Sequence, residues 1–297
     1  MMKKKQKVDF FPLLLISPTI IVLGMFSLYP TIRTFTYSLL NYQRNKPKQY
    51  GFIGFENLIG VLHDTNFYSS LANSVTWVGW EVILQLVIGM LFALVLNTKF
   101  RGRSVARTIC FAPWAISGVL TTMLWILIYN ENIGLLNNVF AQIGLKEFRT
   151  AWISNSSTVF PAVIVAELWR GIPFFAINIL AALQGISAEL YESAKVDGAN
   201  AWQTYWRITL PFLKENIIFA TLMRCIWEFQ SVDMILTMTN GGPNKRTTTL
   251  PIYMYQKAVV EGNYGYGAAL AVFTFLLLSV FAVAYLKMND FGKGINE

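Results

Sequence analysis

Residues 184–214 read QGISAELYESAKVDGANAWQTYWRITLPFLK, a stretch that predicts two short helices joined by a turn. Ser187 is placed to cap the first helix, because serine favours that position. The turn is expected at Gly198, and a second short helix is expected to begin near Asn200 and to end before Pro211. The spacing alone leaves two interpretations open, an interfacial helix among lipid headgroups and a docking element for a cytoplasmic partner.

The chain around this stretch is too apolar for an ordinary soluble protein. Of its 297 residues, 55% are hydrophobic and only 13% are charged, whereas about 25% of a globular domain is charged. A membrane must therefore be the solvent for much of the chain. The net charge of +8 is accordingly interpreted as an orientation signal and not as a nucleic-acid surface.

Six stretches are apolar and long enough to cross a bilayer, which takes about 20 residues. They lie at residues 10–32, 73–97, 108–129, 159–183, 215–238 and 266–286. We find no internal repeat and no flexible linker. The sequence therefore predicts an all-α integral membrane protein in which residues 1–297 form one domain, with 184–214 joining spans four and five.

Basic residues predict the orientation of these spans. They are denser in segments 1–9, 98–107, 184–214 and 287–297 than in the segments on the opposite side. The positive-inside rule then places both termini and the 184–214 loop in the cytoplasm. The first apolar run is longer than a signal-peptide core and no small-x-small cleavage site follows it, so we expect it to be retained as a span.

The scarce reactive residues exclude several kinds of chemistry. His63 is the single histidine, and Cys110 and Cys225 lie apart in apolar runs without metal-ligand spacing. The chain has no GxxxxGK[ST] phosphate loop. It shows no convergent nucleophile, base or metal cluster, so a membrane-embedded enzyme is disfavoured. We expect a non-catalytic protein that binds no metal and does not itself hydrolyse a nucleotide.

A motif in residues 192–211 resembles the EAA motif, E-A-A-x3-G-x9-I-x-L-P, of permease subunits in binding-protein-dependent ABC importers. The matching positions are Glu192, Ser193, Ala194, Gly198, Ile208, Leu210 and Pro211. Ser193 is the one departure, a small residue in place of alanine. The match lies on the predicted cytoplasmic side, between spans four and five, where the family carries it.

Other segments resemble the maltose and glycerol-3-phosphate type of these permeases, and more closely the first of the two permeases that pair. The outer segment Asn240-Gly241-Gly242-Pro243 is one such match. In the family the outer loops receive the loaded binding protein, so these four residues are expected to face it. A simple cap on the helix bundle is the alternative, and the two roles are compatible.

The resemblance implies a set of partners and a mechanism. The chain would pair with a second permease, two ATP-binding subunits and an extracytoplasmic solute-binding protein in the bacterial inner membrane. ATP and Mg would bind the ATPases, with no cofactor on this chain. The motif helices would transmit ATPase closure to the spans, with Glu192 as a polar contact and Gly198 as the turn. Nucleic acid is not an expected partner.

Polar and aromatic residues within the spans are candidates for the substrate path, because such groups are costly in lipid. The candidates are Asn178, Trp227, Phe229, Gln230 and Asp233, suited to hydrogen-bonding and stacking on a sugar. On an ideal helix Asp233 lies about 180° from Arg224. The alternative for charged residues is internal pairing, of Arg224 with Glu228 and of Glu167 with Arg170.

The expected substrate is a sugar or oligosaccharide. Glycerol-3-phosphate or another small polar solute is the alternative within the class. An ion-coupled secondary transporter is the alternative outside it, although such folds usually contain inverted repeats, of which the sequence shows none.

Overall fold

A computed structural model describes residues 11–289, with side chains from residue 14 onward. The N-terminal lysines, the first residue of the predicted span 10–32 and most of segment 287–297 lie outside the described residues. Within them the chain is mostly helical, which agrees with the predicted all-α class apart from one pair of two-residue strands.

Four helical segments are long and apolar enough to cross a membrane, and they coincide with four of the six predicted spans. Helix α1 (Phe11–Leu23) continues through a π-helical turn (Gly24–Leu28) into α2 (Tyr29–Ser38). The others are α4 (Thr65–Asn97), α8 (Val159–Gln184) and α14 (Tyr264–Met288).

The two remaining predicted spans are interrupted. Helices α5 (Arg103–Ala115) and α6 (Gly118–Ile128) meet at a bend of 98°. Ile116 and Ser117 between them have ψ of 135° and 140°, so the backbone there is not helical. Helix α11 (Leu210–Gln230) ends at extended Ser231, and α12 (Asp233–Met238) follows. The continuous helices predicted for 108–129 and 215–238 are therefore wrong in this respect.

Shorter elements connect the long helices. They are strands β1 (Leu40–Asn41) and β2 (Gly51–Phe52), and helices α3 (Glu56–Leu62), α7 (Leu135–Gln142), α9 (Ala188–Val196), α10 (Ala201–Thr204) and α13 (Leu250–Tyr255). Further π-helical turns, Tyr205–Thr209 and Gln256–Val260, follow α10 and α13. Single 3-10 turns lie at Pro47–Gln49 and Lys146–Phe148.

The described chain divides into two compact units. One comprises residues 11–64 and 254–276. In it β1 and β2 pair antiparallel, and Asn57 donates from Nδ2 to the carbonyls of Ser38 (3.0 Å) and Leu40 (2.9 Å). These bonds hold the chain that leaves α2 against α3.

The second unit comprises residues 65–253 and 277–289. Helix α4 packs along α8, and α11 packs against both. The approach of α4 to α8 is close, since a Cβ at Gly89 would lie 2.6 Å from the Cβ of Phe175. This three-helix packing positions the polar side chains described below. The single-domain organisation of the chain stays a prediction.

The segment between α6 and α8 folds as a cap over a second apolar cluster that includes Trp77 and Val163. Buried Asn137 donates to the carbonyls of Glu131 (3.1 Å) and Thr150 (3.0 Å) and accepts from Trp152 Nε1 (2.9 Å). The side-chain amide of Asn137 therefore holds the cap together, a role that was not predicted from the sequence.

Candidate functional site

Residues 184–214, here called the two-helix loop, contain the first short helix and the turn as predicted. The second helix does not end before Pro211 as expected, because α10, the turn Tyr205–Thr209 and α11 follow one another with helical backbone angles throughout. Helix α9 ends in a Schellman motif, in which the amide of Gly198 donates to Lys195 O (3.1 Å) and that of Ala199 to Ala194 O (2.9 Å). Gly198 has a φ of +75°, a left-handed conformation that costs other residues about 1–2 kcal/mol. The predicted turn is confirmed, and its physical reason is this backbone angle.

The helix that follows begins with a capping box. Asn200 Oδ1 accepts from the amide of Gln203, and Gln203 Oε1 accepts from the amide of Asn200, both at 2.9 Å. Ser187 stands at the N-cap position of α9 as predicted, but its side chain makes no capping hydrogen bond. The two ends of the loop are tied together where the Tyr191 hydroxyl lies 3.2 Å from Thr209 Oγ1.

The seven motif residues have different surroundings. Ser193, Ala194, Gly198 and Ile208 line a cavity of about 360 Å³ between α9 and the following helical turns. Ala194 is buried, so its small side chain permits this packing. The remaining motif residues lie outside the cavity: Glu192 and Pro211 are exposed, and Leu210 packs against the main apolar core.

A buried polar cluster joins α4, α8 and α11. It comprises Glu81, Gln85, Glu167, Arg170, Arg224 and Glu228. The intrahelical pairs are as predicted: Arg170 lies 2.6 Å from Glu167, and Arg224 lies 2.5 Å from Glu228. Arg224 also reaches Glu167 at 3.5 Å, a contact between helices that was not predicted.

Gln85 lies at the centre of this cluster. Its Nε2 donates to Glu81 Oε2 (2.8 Å) and to Glu228 Oε1 (3.2 Å), and its Oε1 accepts from Arg224 Nε (2.7 Å). This role of Gln85 was not predicted from the sequence. The signal was a carboxylate and an amide spaced i, i+4 on an otherwise apolar helix.

Charge in the cluster is unevenly matched. Three carboxylates face two guanidiniums, and Glu81, although 0% exposed, forms no ion pair among the described residues. A Cβ at Gly171 would overlap both the Gln85 amide and the Arg224 guanidinium. The missing side chain of Gly171 therefore provides the space that the cluster occupies.

The aromatic candidates for the substrate path lie on different faces of α11. Trp227 is 47% exposed, whereas Phe229 is 5% exposed and lines a separate apolar cavity of about 350 Å³. The Trp227 ring lies 5.4 Å from that of Phe174. Half-buried Asn178 donates to the Phe174 carbonyl (2.7 Å), so Asn178 and Trp227 share a neighbour.

Asp233 lies where the two helix breaks meet. A Cβ at Gly118 would lie 3.4 Å from Asp233 Oδ2 and 3.7 Å from Arg170 Nη1. The predicted angle between Asp233 and Arg224 is wrong, because the helix that would relate them ends at Gln230. Gln230 and Asp233 are both exposed. Irregular backbone at membrane depth is tolerated where it is buried in protein or lines a water-filled cavity.

The predicted binding-protein loop has a fixed backbone. Asn240 and Gly241 are left-handed, with φ of 50° and 85°. The hydroxyls of Thr247 and Thr248 donate to the carbonyls of Gly242 and Gly241, both at 2.9 Å.

The loop is also anchored to α4. Asn73 Nδ2 donates to the carbonyls of Lys245 (3.2 Å) and Thr248 (3.0 Å), and Ser74 accepts from the amide of Leu250 (2.7 Å). Neighbouring Pro243 is half-buried. The loop therefore presents a defined surface. The described residues contain no cluster of three side chains suited to a metal ion.

A family model described as the binding-protein-dependent transport system inner membrane component matches residues 85–291. The chain belongs to this family. The matched region contains the two-helix loop and most of the polar cluster. This family consists of multi-pass permease subunits in the membrane, as the EAA motif indicated.

Two similar proteins are named as saccharide transporters. The chain is 34% identical to the trehalose/maltose transport system permease protein MalF of Thermococcus litoralis, over 94% of each chain. It is 32% identical to the arabinooligosaccharides transport system permease protein AraP of Halalkalibacterium halodurans, over 95% of this chain and 89% of the relative.

A solved structure has the same fold. It is a bacterial alginate ABC transporter in complex with an alginate pentasaccharide-bound periplasmic protein, and it superposes with a TM-score of 0.82 at 25% identity, over 94% of each chain.

Proposed function

We propose that this permease is the first of two paired membrane subunits in an ATP-driven importer of a sugar or oligosaccharide. Two ATP-binding subunits, which carry ATP and Mg, would dock on its cytoplasmic face, and an extracytoplasmic binding protein would deliver the substrate. The chain itself would be non-catalytic and hold no cofactor. Six spans would cross the bacterial plasma membrane, with both termini in the cytoplasm.

The two-helix loop carries this proposal. Glu192, Ser193 and Ala194 lie on α9, and the turn after it is closed by the Schellman motif at Gly198. Ile208, Leu210 and Pro211 lie on the helical segment that follows the capping box at Asn200. Exposed Glu192 on α9 is available to a partner, whereas Ala194, Ile208 and Leu210 are wholly or partly buried and hold the loop together. We propose that closure of the ATPases pushes on α9 and that α11, entered at Pro211, transmits this motion to the spans.

The substrate path is proposed to run past the exposed face of α11. Trp227 would stack on the apolar face of a sugar, and Gln230 and Asp233 would bond its hydroxyls. Half-buried Asn178 would line the path beside Trp227, whereas buried Phe229, on the opposite face of α11, would support the helix from the separate apolar cavity. Asn240, Gly241, Gly242 and Pro243 would meet the binding protein. Arg170 and Arg224 are both ion-paired, so their pairing does not favour an anionic solute such as glycerol-3-phosphate.

Charge reversal at Glu192 tests the coupling role. Glu192→Lys should abolish ATP-driven uptake in reconstituted vesicles while the subunits remain assembled, because the polar contact to the ATPase is replaced by repulsion. Glu189→Lys, an equal charge change at another exposed residue of α9, is the matched control and should transport normally. Wild-type uptake by Glu192→Lys would remove the role, and uptake driven by an ion gradient without ATP would overturn the proposed class.

A further inference from the structure

Two arginines converge on one backbone carbonyl at the end of α4. Arg103 Nε donates to Leu96 O at 2.7 Å, and Arg107 Nη2 donates to the same oxygen at 3.3 Å. A helix C-terminus attracts cations, which accounts for the position of the first arginine. One neutral carbonyl does not balance two guanidinium charges, however, so both arginines retain a net attraction for an anion.

No acidic residue lies near these arginines in the sequence. The sequence contains no Asp or Glu between Glu81 and Glu131. Neither arginine, nor Lys99 or Arg101 beside them, forms an ion pair within the part of the chain that the structure describes. Buried Arg107 Nε has no hydrogen-bond partner among these residues. Because this atom is enclosed by protein, the donors open to a ligand are the other guanidinium nitrogens of these two half-buried arginines.

The helix that begins here adds to the positive potential. The N-cap of α5 is Gly102, which has no side chain to cap the helix, and the first turn carries no acidic residue. The first amide groups of a helix favour an anion, and phosphate is a common ligand there. The helix N-terminus and both arginines thus favour the same kind of ligand at the same end of α5.

The apolar neighbours of these residues indicate where the anion comes from. Phe100, Val105 and Ile109 are 41%, 63% and 69% exposed, and they follow the apolar run of α4 directly. A segment that combines basic residues with exposed apolar ones lies at a membrane interface, and clusters of Lys and Arg beside a span bind anionic headgroups. A soluble anion would leave these apolar side chains in water.

We propose that Arg103 and Arg107 form a binding site for the headgroup phosphate of an anionic phospholipid, with Lys99 and Arg101 at its edge. The lipid chains would lie against Phe100, whereas Val105 and Ile109, about 200° around α5 from the arginines, would contact the surrounding bilayer. The site needs only that α4 ends at a membrane surface, so it is independent of the transported substrate and of the proposed partners.

A lipid-binding measurement on the full chain tests this site. The chain is equilibrated in detergent micelles with radiolabelled phosphatidylglycerol or phosphatidylcholine, captured, and the bound lipid counted. Replacing both arginines (Arg103→Gln with Arg107→Gln) should weaken phosphatidylglycerol binding about 30-fold, roughly 2 kcal/mol, and leave phosphatidylcholine binding unchanged. Added salt should also weaken phosphatidylglycerol binding to the wild-type chain, because it screens the charges.

The matched control is Lys146→Gln with Arg149→Gln, which removes two exposed cations outside the site. Unchanged phosphatidylglycerol binding in the first variant, or an equal loss in the control, would overturn the proposal. The double variant Arg103→Lys with Arg107→Lys keeps the charge and should keep most of the preference for phosphatidylglycerol over phosphatidylcholine. If the glutamine variant does not fold, loss of this preference in the lysine variant would contradict the proposal.

Two other anion sources give different results. If inorganic phosphate displaces the labelled phosphatidylglycerol from wild type, the site binds a free anion and the lipid proposal is wrong. If the glutamine variant loses association with ATP-binding subunits while its phosphatidylglycerol binding stays intact, the arginines contact a protein, and the lipid proposal is again wrong.

Discussion

Replacing Gly171 with alanine should open the buried polar cluster. The added Cβ would overlap the side-chain amide of Gln85 and the guanidinium of Arg224. Both groups end flexible side chains, but both are buried and held by hydrogen bonds. The overlapped Arg224 nitrogen is Nη2, which pairs with Glu228. The side chains can therefore yield space only if this ion pair is disturbed together with the 2.7 Å bond between Arg224 Nε and Gln85 Oε1.

The size of the effect follows from two opposing contributions. Disrupting a buried charge pair costs about 3–5 kcal/mol, and alanine in place of glycine within a helix returns about 1 kcal/mol. The net loss of unfolding free energy is therefore about 2–4 kcal/mol. At about 2–4 °C per kcal/mol, the thermal midpoint of Gly171→Ala should fall by roughly 4–16 °C.

The assay is the thermal midpoint of the detergent-solubilised chain, followed by size-exclusion chromatography after heating. Gly79→Ala is the matched control, because a Cβ at Gly79 in α4 meets no atom within 4 Å. Its midpoint should stay unchanged or rise slightly. If the thermal midpoint of Gly171→Ala equals that of the control, the cluster does not depend on the space at Gly171 and the reasoning is refuted.

Three further predictions concern other residues described above. Gly198→Ala should cost about 1–2 kcal/mol through its positive φ and lower the hydrogen-exchange protection of the α9 C-terminal turn; unchanged protection would contradict it. Glu81→Gln should change the free energy of unfolding by only about 1 kcal/mol, because no arginine pairs with Glu81 and glutamine can still accept the hydrogen bond from Gln85. Glu228→Gln should cost about 3 kcal/mol, because it leaves Arg224 with a weaker partner. Equal thermal midpoints for the two variants would exclude this. Asn137→Ala should cost about 2–4 kcal/mol and expose residues 130–158 to limited proteolysis, and wild-type resistance to the protease would argue against its anchoring role.

Local patterns predicted much of this molecule from its sequence. The apolar runs located the long helices, the turn at Gly198 was evident from the residue types, and the intrahelical pairs followed from i, i+3 and i, i+4 spacing. Each of these features depends on residues that are close together in the chain. The opposite faces of Trp227 and Phe229 follow from the same geometry, because two helical residues turn through about 200°.

Features set by distant parts of the chain were not predictable in this way. Gln85 and Arg224 are 139 positions apart, and neither residue type indicates that the two side chains are in contact. The break at Ser231 has no glycine or proline to signal it. The position of Asp233 beside Gly118 depends on this break and on the bend before α6, so an ideal helix misplaced it.

The buried polar cluster also bears on how the protein is made. Synthesis proceeds from the N-terminus, so α4 enters the membrane with Glu81 and Gln85 before α8 and α11 have been synthesised. Until Arg224 arrives, these two side chains are exposed to lipid, where polar groups are unstable. The nascent α4 therefore needs a temporary polar environment, such as the insertion machinery or a neighbouring nascent helix. It can leave this environment once α11, the last helix of the cluster to be synthesised, supplies Arg224.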